Sequence, residues 1–208
     1  GGYAYANQPR IAVWNLARLA ETLLPLIGEG DEAVALAQDV LGRFQGRYEA
    51  TFHGGLRRKL GLMTEADGDL ALVGDLLDAM ARNGADFTLT FRRLADDIDP
   101  SGGEGARTLF SDPAAFDGWA ERWRERLAAE PQHDAGRAQA MRSVNPKYIP
   151  RNHRVEAVIE AATRDDDFAP FEELLGVLAR PFDEQPEMER YALPPKDDER
   201  VLRTFCGT

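Results

Sequence analysis

Few residues in this sequence have the type and spacing that chemistry requires. There is one thiol, Cys206, in the closing string VLRTFCGT, and there are three imidazoles, His53, His133 and His153. A single cysteine excludes a disulfide within these residues. Its place near the end of the sequence reads as an accessible, mildly reactive thiol that modifies readily. The three histidines are far apart and lack partners at metal-ligand intervals, so zinc is not expected. No Gly-x-Ser-x-Gly elbow occurs, nor a phosphate loop ending in Gly-Lys-Ser or Gly-Lys-Thr. On this reading no catalytic, cofactor-binding or metal-binding residue is assigned.

Three stretches imitate sites. EADGDLALVGDLLD clusters Asp67, Gly68 and Asp69 like a calcium loop, but lacks the ligand order and the closing glutamate that an EF-hand needs. Its carboxylates are expected to serve as favourable charges at a helix N-terminus. SGGEGARTLF is rich enough in glycine to wrap an anion, yet follows no strand, and a mobile surface loop is expected. Arg57-Arg58-Lys59, with Arg47 nearby, sits among apolar residues at helical spacing and reads as a solvated helix face rather than an anion site.

The connector NPKYIPRN packs Asn145, Lys147, Tyr148, Arg151 and Asn152 around two prolines. Prolines fix dihedrals and remove donors, so these side chains are held rigidly and can tie the connector to neighbouring carbonyls and carboxylates. The open alternative is a substrate or phosphate contact through Lys147 or Arg151. PFDEQPEMERYALPPKD is a similar proline-framed strap with no nucleophile and base.

The elements that must position these residues are helical. Pro9 suits a first turn, and Val13, Leu16, Ala17, Ala20, Leu24 and Ile27 then recur as an apolar stripe up to Gly28, with Pro25 placed to kink the end. Asp31 is the expected cap of a second helix, carrying Leu36, Val40, Phe44, Tyr48 and Phe52 on one face and interrupted at Gly54-Gly55. Thr64 and Asp67 form a weak capping box ahead of a helix closing on Asn83-Gly84. A short helix through DFTLTFRRLADD follows. Asp112-Pro113 reads as cap and first residue of a helix that buries Phe116, Trp119, Trp123 and Leu127; the two tryptophans could stack a ring, but their spacing favours a core. Three more helices run through HDAGRAQAMRS, NHRVEAVIEAATRD and PFEELLGVLARPF. No strand and no internal repeat is evident.

The expected organisation is a helical domain over 1–180 and an extended proline-rich tail over 181–208. Hydrophobic residues are 43% of the sequence and charged residues 29%, enough apolar content for a sizeable core. The net charge of −11 is spread over both halves, which disfavours a phosphate backbone, so no nucleic acid is expected as partner. No apolar run is long enough for a bilayer, and with one cysteine a cytoplasmic location without membrane contact is expected.

YAYANQPRIAVWNLARLAETLLPL, DFTLTFRRLAD, MRSVNPKYIPRN and PFDEQPEMERYALPPKD occur in that order. Together they resemble the C-terminal half of the selenoprotein O (YdiU) family, over essentially the whole sequence. The resemblance implies an all-α, C-terminal part of a protein-kinase-like fold. It implies a pseudokinase parent that transfers AMP from ATP to Ser, Thr or Tyr hydroxyls of protein substrates, with Mg2+ or Mn2+. The family's nucleotide-binding lysine and glutamate, phosphate-binding arginines, catalytic-loop Asp-Asn and metal-binding aspartate all precede the YAYANQP string. This chain begins at that string, after Gly1-Gly2, so none of those residues falls on a position here. ATP and the metal are expected in the parent protein and not on this piece, which is expected to be inactive alone.

Near its C-terminus the family carries a cysteine or selenocysteine. By resemblance Cys206 is therefore a redox element, paired with a cysteine near the activation segment in the N-terminal half. The string TFCGT departs from the family in having Gly207-Thr208 where two serines are more common. The expected partners are thus protein substrates and the N-terminal half of the same chain, and the piece should expose apolar surface that faces that half. The rival reading is a non-catalytic helical interaction module, favoured only by the lack of a catalytic constellation.

Overall fold

The computed structural model describes residues 7–99, 101, 103–131 and 134–201, and among these every regular element is a helix and there are no strands. Two compact units divide it, residues 1–55 and 56–208.

In the first unit α1 spans Gln8–Ile27, with Pro9 in its first turn. Pro25 removes one backbone donor in its last turn, and the Gly28 amide closes the helix on the Leu24 carbonyl at 3.1 Å. α2, Gly30–Gly42, packs against α1. Its N-cap is Glu29, without a side-chain bond, so Asp31 is not the expected cap. With Glu32 it lies in the first turn, where a carboxylate complements the helix's positive end. α3 spans Phe44–Lys59, with its residues up to Gly55 in this unit, and Gly54-Gly55 do not break it. Phe44, Tyr48 and Phe52 stack along it with centroids 6.2 and 5.5 Å apart.

In the second unit α4 spans Asp69–Asn83 and ends on Gly84, whose φ of 62° is the left-handed cap the Asn-Gly pair announced. α5, Phe87–Ile98, is capped by Asp86, which accepts the Leu89 amide at 2.8 Å. α6, Pro113–Ala128, is capped by Asp112, which accepts the Ala114 amide at 3.0 Å. Its Phe116, Trp119, Trp123 and Leu127 are buried as expected. The two indoles stack 5.3 Å apart, and each N–H is satisfied: Trp119 donates to the Leu72 carbonyl at 2.8 Å and Trp123 to that of Leu60 at 2.9 Å. These rings are core, not a ligand platform. α7 (Asp134–Val144) packs on α5, and α8 (Asn152–Asp165) on α9 (Ala169–Leu178).

Several local expectations give way to long-range ties. Thr64 caps nothing: its hydroxyl donates to Glu130 at 2.6 Å. The loop after α5 is docked, because Ala106 and Phe110 are buried and the Ala106 amide donates to Asp97 at 2.8 Å. In the basic cluster Arg58 and the nearby Arg47 are exposed, whereas Arg57 donates to Glu65 at 3.0 Å and Lys59 is half-buried. The proline-framed strap after α9 forms a 3₁₀ segment, Pro186–Tyr191, and sends Tyr191 and Ala192 into a second core with Leu89, Tyr148, Val158 and Val177. No helix among the described residues is long and apolar enough to cross a membrane.

Candidate functional site

The α7–α8 connector and the strap carry the polar side chains that the sequence singled out, and three segments of the second unit converge on them. The Lys147 and Tyr148 amides donate to the Pro181 carbonyl at 2.8 and 3.2 Å, joining connector to strap. The Tyr148 hydroxyl donates to the Gln185 carbonyl at 2.9 Å, while the Gln185 amide donates to the Val177 and Arg180 carbonyls. Asn145, fully buried, donates to the Lys59 carbonyl at 2.9 Å and accepts from the Lys59 ammonium at 3.1 Å. Burial lowers the Lys59 pKa, a cost its contacts with Asn145 and the Phe91 ring offset in part.

Arg92, on α5, lies between connector and strap and is 5% exposed. It donates to the carbonyls of Arg142, Asn145 and Phe182 at 2.8, 3.0 and 3.0 Å, and to Glu184 at 2.7 Å. One guanidinium thus satisfies carbonyls at the end of α7, in the connector and in the strap. Sequence reasoning did not single out Arg92, and a lone arginine on an amphipathic helix gives no local signal of such a role.

The two cations raised as possible substrate contacts are both engaged. Lys147 pairs with Glu184 at 2.8 Å and Glu189 at 2.7 Å. Burial would lower its pKa, but the two carboxylates outweigh that and hold it above the usual lysine value. Arg151 closes a two-pronged fork on Asp86, with distances of 2.8 and 2.9 Å. Burial would raise the Asp86 carboxyl, yet the fork and the Leu89 amide bring it below the ordinary range. Asp86 therefore caps α5 and anchors the connector at once. The tie-forming reading accounts for Lys147 and Arg151, and Asn152 simply opens α8.

The calcium-like segment is held by a second network. Arg126 donates to Asp69 at 2.7 Å and Glu130 at 2.7 Å, and Glu130 accepts the Met63 and Thr64 amides at 3.0 and 3.1 Å. Asp69 also accepts the Ala66 amide at 2.9 Å. Its oxygens face an arginine and an amide, a donor set suited to bracing a loop rather than to binding a cation. Among the described residues no group of three or more His, Cys, Asp or Glu side chains is placed to hold a metal. His53 lies on α3, and His153 lies in the first turn of α8 in the second unit; His133 is outside the described residues. Cys206, the one residue given a functional role, also lies outside them.

A cavity of about 350 Å3 opens at the start of α8, lined by Arg151, Asn152, His153, Pro195 and Arg200 among others. His153 is nine-tenths buried and its Nε2 has no partner. Burial, then the Arg154 and Arg151 charges, lower its pKa, with Glu199 opposing.

The sequence matches the family described as Protein adenylyltransferase SelO over residues 1–179. Among curated relatives, the Protein nucleotidyltransferase YdiU of Bradyrhizobium diazoefficiens is 64% identical across 100% of this chain, which covers 43% of the relative. Those of Rhodopseudomonas palustris and Methylorubrum populi are each 59% identical, again across 100% of this chain and 43% of their own length. The chain thus spans less than half the length of these relatives.

Proposed function

Because the chain belongs to the SelO family of protein adenylyltransferases, we propose that it is the C-terminal helical portion of an enzyme that moves AMP from ATP to Ser, Thr or Tyr hydroxyls of proteins. The observation that carries this reading is the family match over residues 1–179 in a chain that spans 43% of its relatives. In the reaction the acceptor hydroxyl oxygen bonds to the α-phosphorus and the bridging α–β P–O bond breaks. Diphosphate leaves with the electron pair, and the hydroxyl proton passes to a base or to water.

The ATP and metal sites are assigned to the rest of the protein, whose fold is of the protein-kinase type. Among the described residues no group of three or more His, Cys, Asp or Glu side chains is placed to hold a metal ion. The role of this portion is positional: the connector, strap and α5, locked by Arg92, Asp86 and Glu184, form a rigid helical base and a platform for the protein acceptor. Cys206 is assigned a redox role, pairing with a cysteine elsewhere in the full-length protein.

The test is to incubate the full-length protein and the 208-residue chain separately with α-labelled ATP, Mg2+ or Mn2+, and a protein acceptor. Label is expected on the acceptor with the full-length protein and not with the shorter chain. No transfer by the full-length protein sinks the enzyme assignment; transfer by the short chain sinks the division of labour.

A further inference from the structure

The first unit leaves its apolar side chains unburied. Of its described residues only Ala33 is buried, while Leu19, Leu23, Leu36 and Val40 are between 38% and 64% exposed. Those four side chains line one open trough of about 440 Å3 between α1, α2 and the start of α3, with Phe44 on its wall and Arg47 as the charged residue of the lining. On α1 the trough face is continuous with the face that packs on α2, so apolar side chains cover about half of that helix. Helices of this length gain most of their stability from packing an apolar face, and a contiguous exposed patch of this kind marks an interface.

We infer that the trough is the seat of the segment that precedes this chain in the full-length protein, an apolar element with an acidic or carbonyl-bearing end toward Arg47. The inference rests on the reading of this chain as the C-terminal portion. Two observations select that occupant over a second copy. The relatives carry more than this chain's length again within one polypeptide, the chain being 43% of each. A tethered segment acts at an effective concentration in the millimolar range, which a separate molecule does not reach in dilute solution. Secondly, α1 is the first described element, so the preceding segment arrives at the trough's own helix, and consecutive elements usually pack side by side.

The test is thiol accessibility in the full-length protein, not activity, so it fails or succeeds separately from AMP transfer. Val40→Cys and Leu23→Cys each place a thiol in the trough, and Glu32→Cys, at an exposed position of α2, is the internal reference. Maleimide labelling is followed by mass spectrometry of the peptide that carries the new cysteine, with circular dichroism confirming native helicity. Each trough thiol is expected to react about tenfold or more slowly than the reference, as burial behind a local opening step requires. The protection should be the same at low and high micromolar protein. Having two trough variants keeps the test valid if one misfolds. Rates equal to the reference mean an open trough and overturn the inference. Protection that appears only as the protein dimerises assigns the trough to a second copy and overturns it equally.

Discussion

Arg92 concentrates the energetics of the connector, because one buried charge serves three carbonyls and a carboxylate that belong to different segments. Replacing it by methionine keeps the stem's volume but strands the carbonyls, and removing one partner of a buried charged network costs about 3 kcal/mol or more. Glu184 is the exposed end of that network, its side chain 57% accessible, so Glu184→Gln is expected to cost about 1 kcal/mol or less. Urea unfolding of both variants checks this; equal costs would show that the carboxylate, not the carbonyls, is what Arg92 holds. His153 supplies a pH dependence of its own. Its folded pKa is below the ordinary histidine value, through burial and the charges of Arg154 and Arg151 against Glu199. As pH falls through about 6.5 the unfolded chain takes up this proton before the folded one, and stability declines. His153→Gln should flatten the melting-temperature profile between about pH 7 and 5 relative to the parent. A parent profile already flat there would contradict the assignment.

Glycines at helix ends separate what conformation costs from what space costs. Gly84 and Gly61 both have positive φ, 62° and 76°. A Cβ at Gly84 would meet nothing within 4 Å, whereas at Gly61 it would lie 2.7 Å from Met141 Sδ and 3.0 Å from Arg137 Cγ, both on buried residues. Gly84→Ala therefore bears only the left-handed backbone cost, about 1 kcal/mol, and Gly61→Ala adds a steric one. Thermal melts that rank them the other way would refute this reading of the α3–α4 turn. Such elements were legible wherever the signal is local. Asp112-Pro113 announces α6 and the spacing of Phe116, Trp119, Trp123 and Leu127 its buried face; Asn83-Gly84 announces the end of α4. Legibility failed where the partner is distant. Thr64 looks like a cap until Glu130, 66 positions away, takes its hydroxyl, and the 103–110 loop looks loose until Asp97 and the core claim Ala106 and Phe110. Lys147 and Arg151 could be read either way because their partners, Glu184, Glu189 and Asp86, lie on other segments.

At the scale of the whole molecule, a net charge of −11 and a set of internal carboxylate ties pull stability in opposite directions as acid is added. Protonating surface carboxylates relieves self-repulsion first, down toward the isoelectric point of about 4.8. Asp86, Glu130 and Glu184 behave otherwise. Burial would raise each, yet Arg151 and the Leu89 amide, Thr64 and Arg126, and Lys147 and Arg92 respectively hold each folded value below its ordinary one. Their stabilisation is complete above the unfolded carboxylate values near 4 and is lost as pH falls through the lower folded ones. Asp97, raised by burial against the pull of the Ala106 amide, has the opposite sign and offsets part of that loss. The melting temperature is therefore expected to fall steeply below about pH 4. The origin of that limb is separable, because surface repulsion is screened by salt and tight, partly buried pairs much less so. If the ties carry it, the limb persists at high ionic strength and Asp86→Asn makes it shallower. A limb that disappears in salt, or that Asp86→Asn leaves unchanged, would place acid unfolding in the surface charge and not in the ties that join α5, connector and strap.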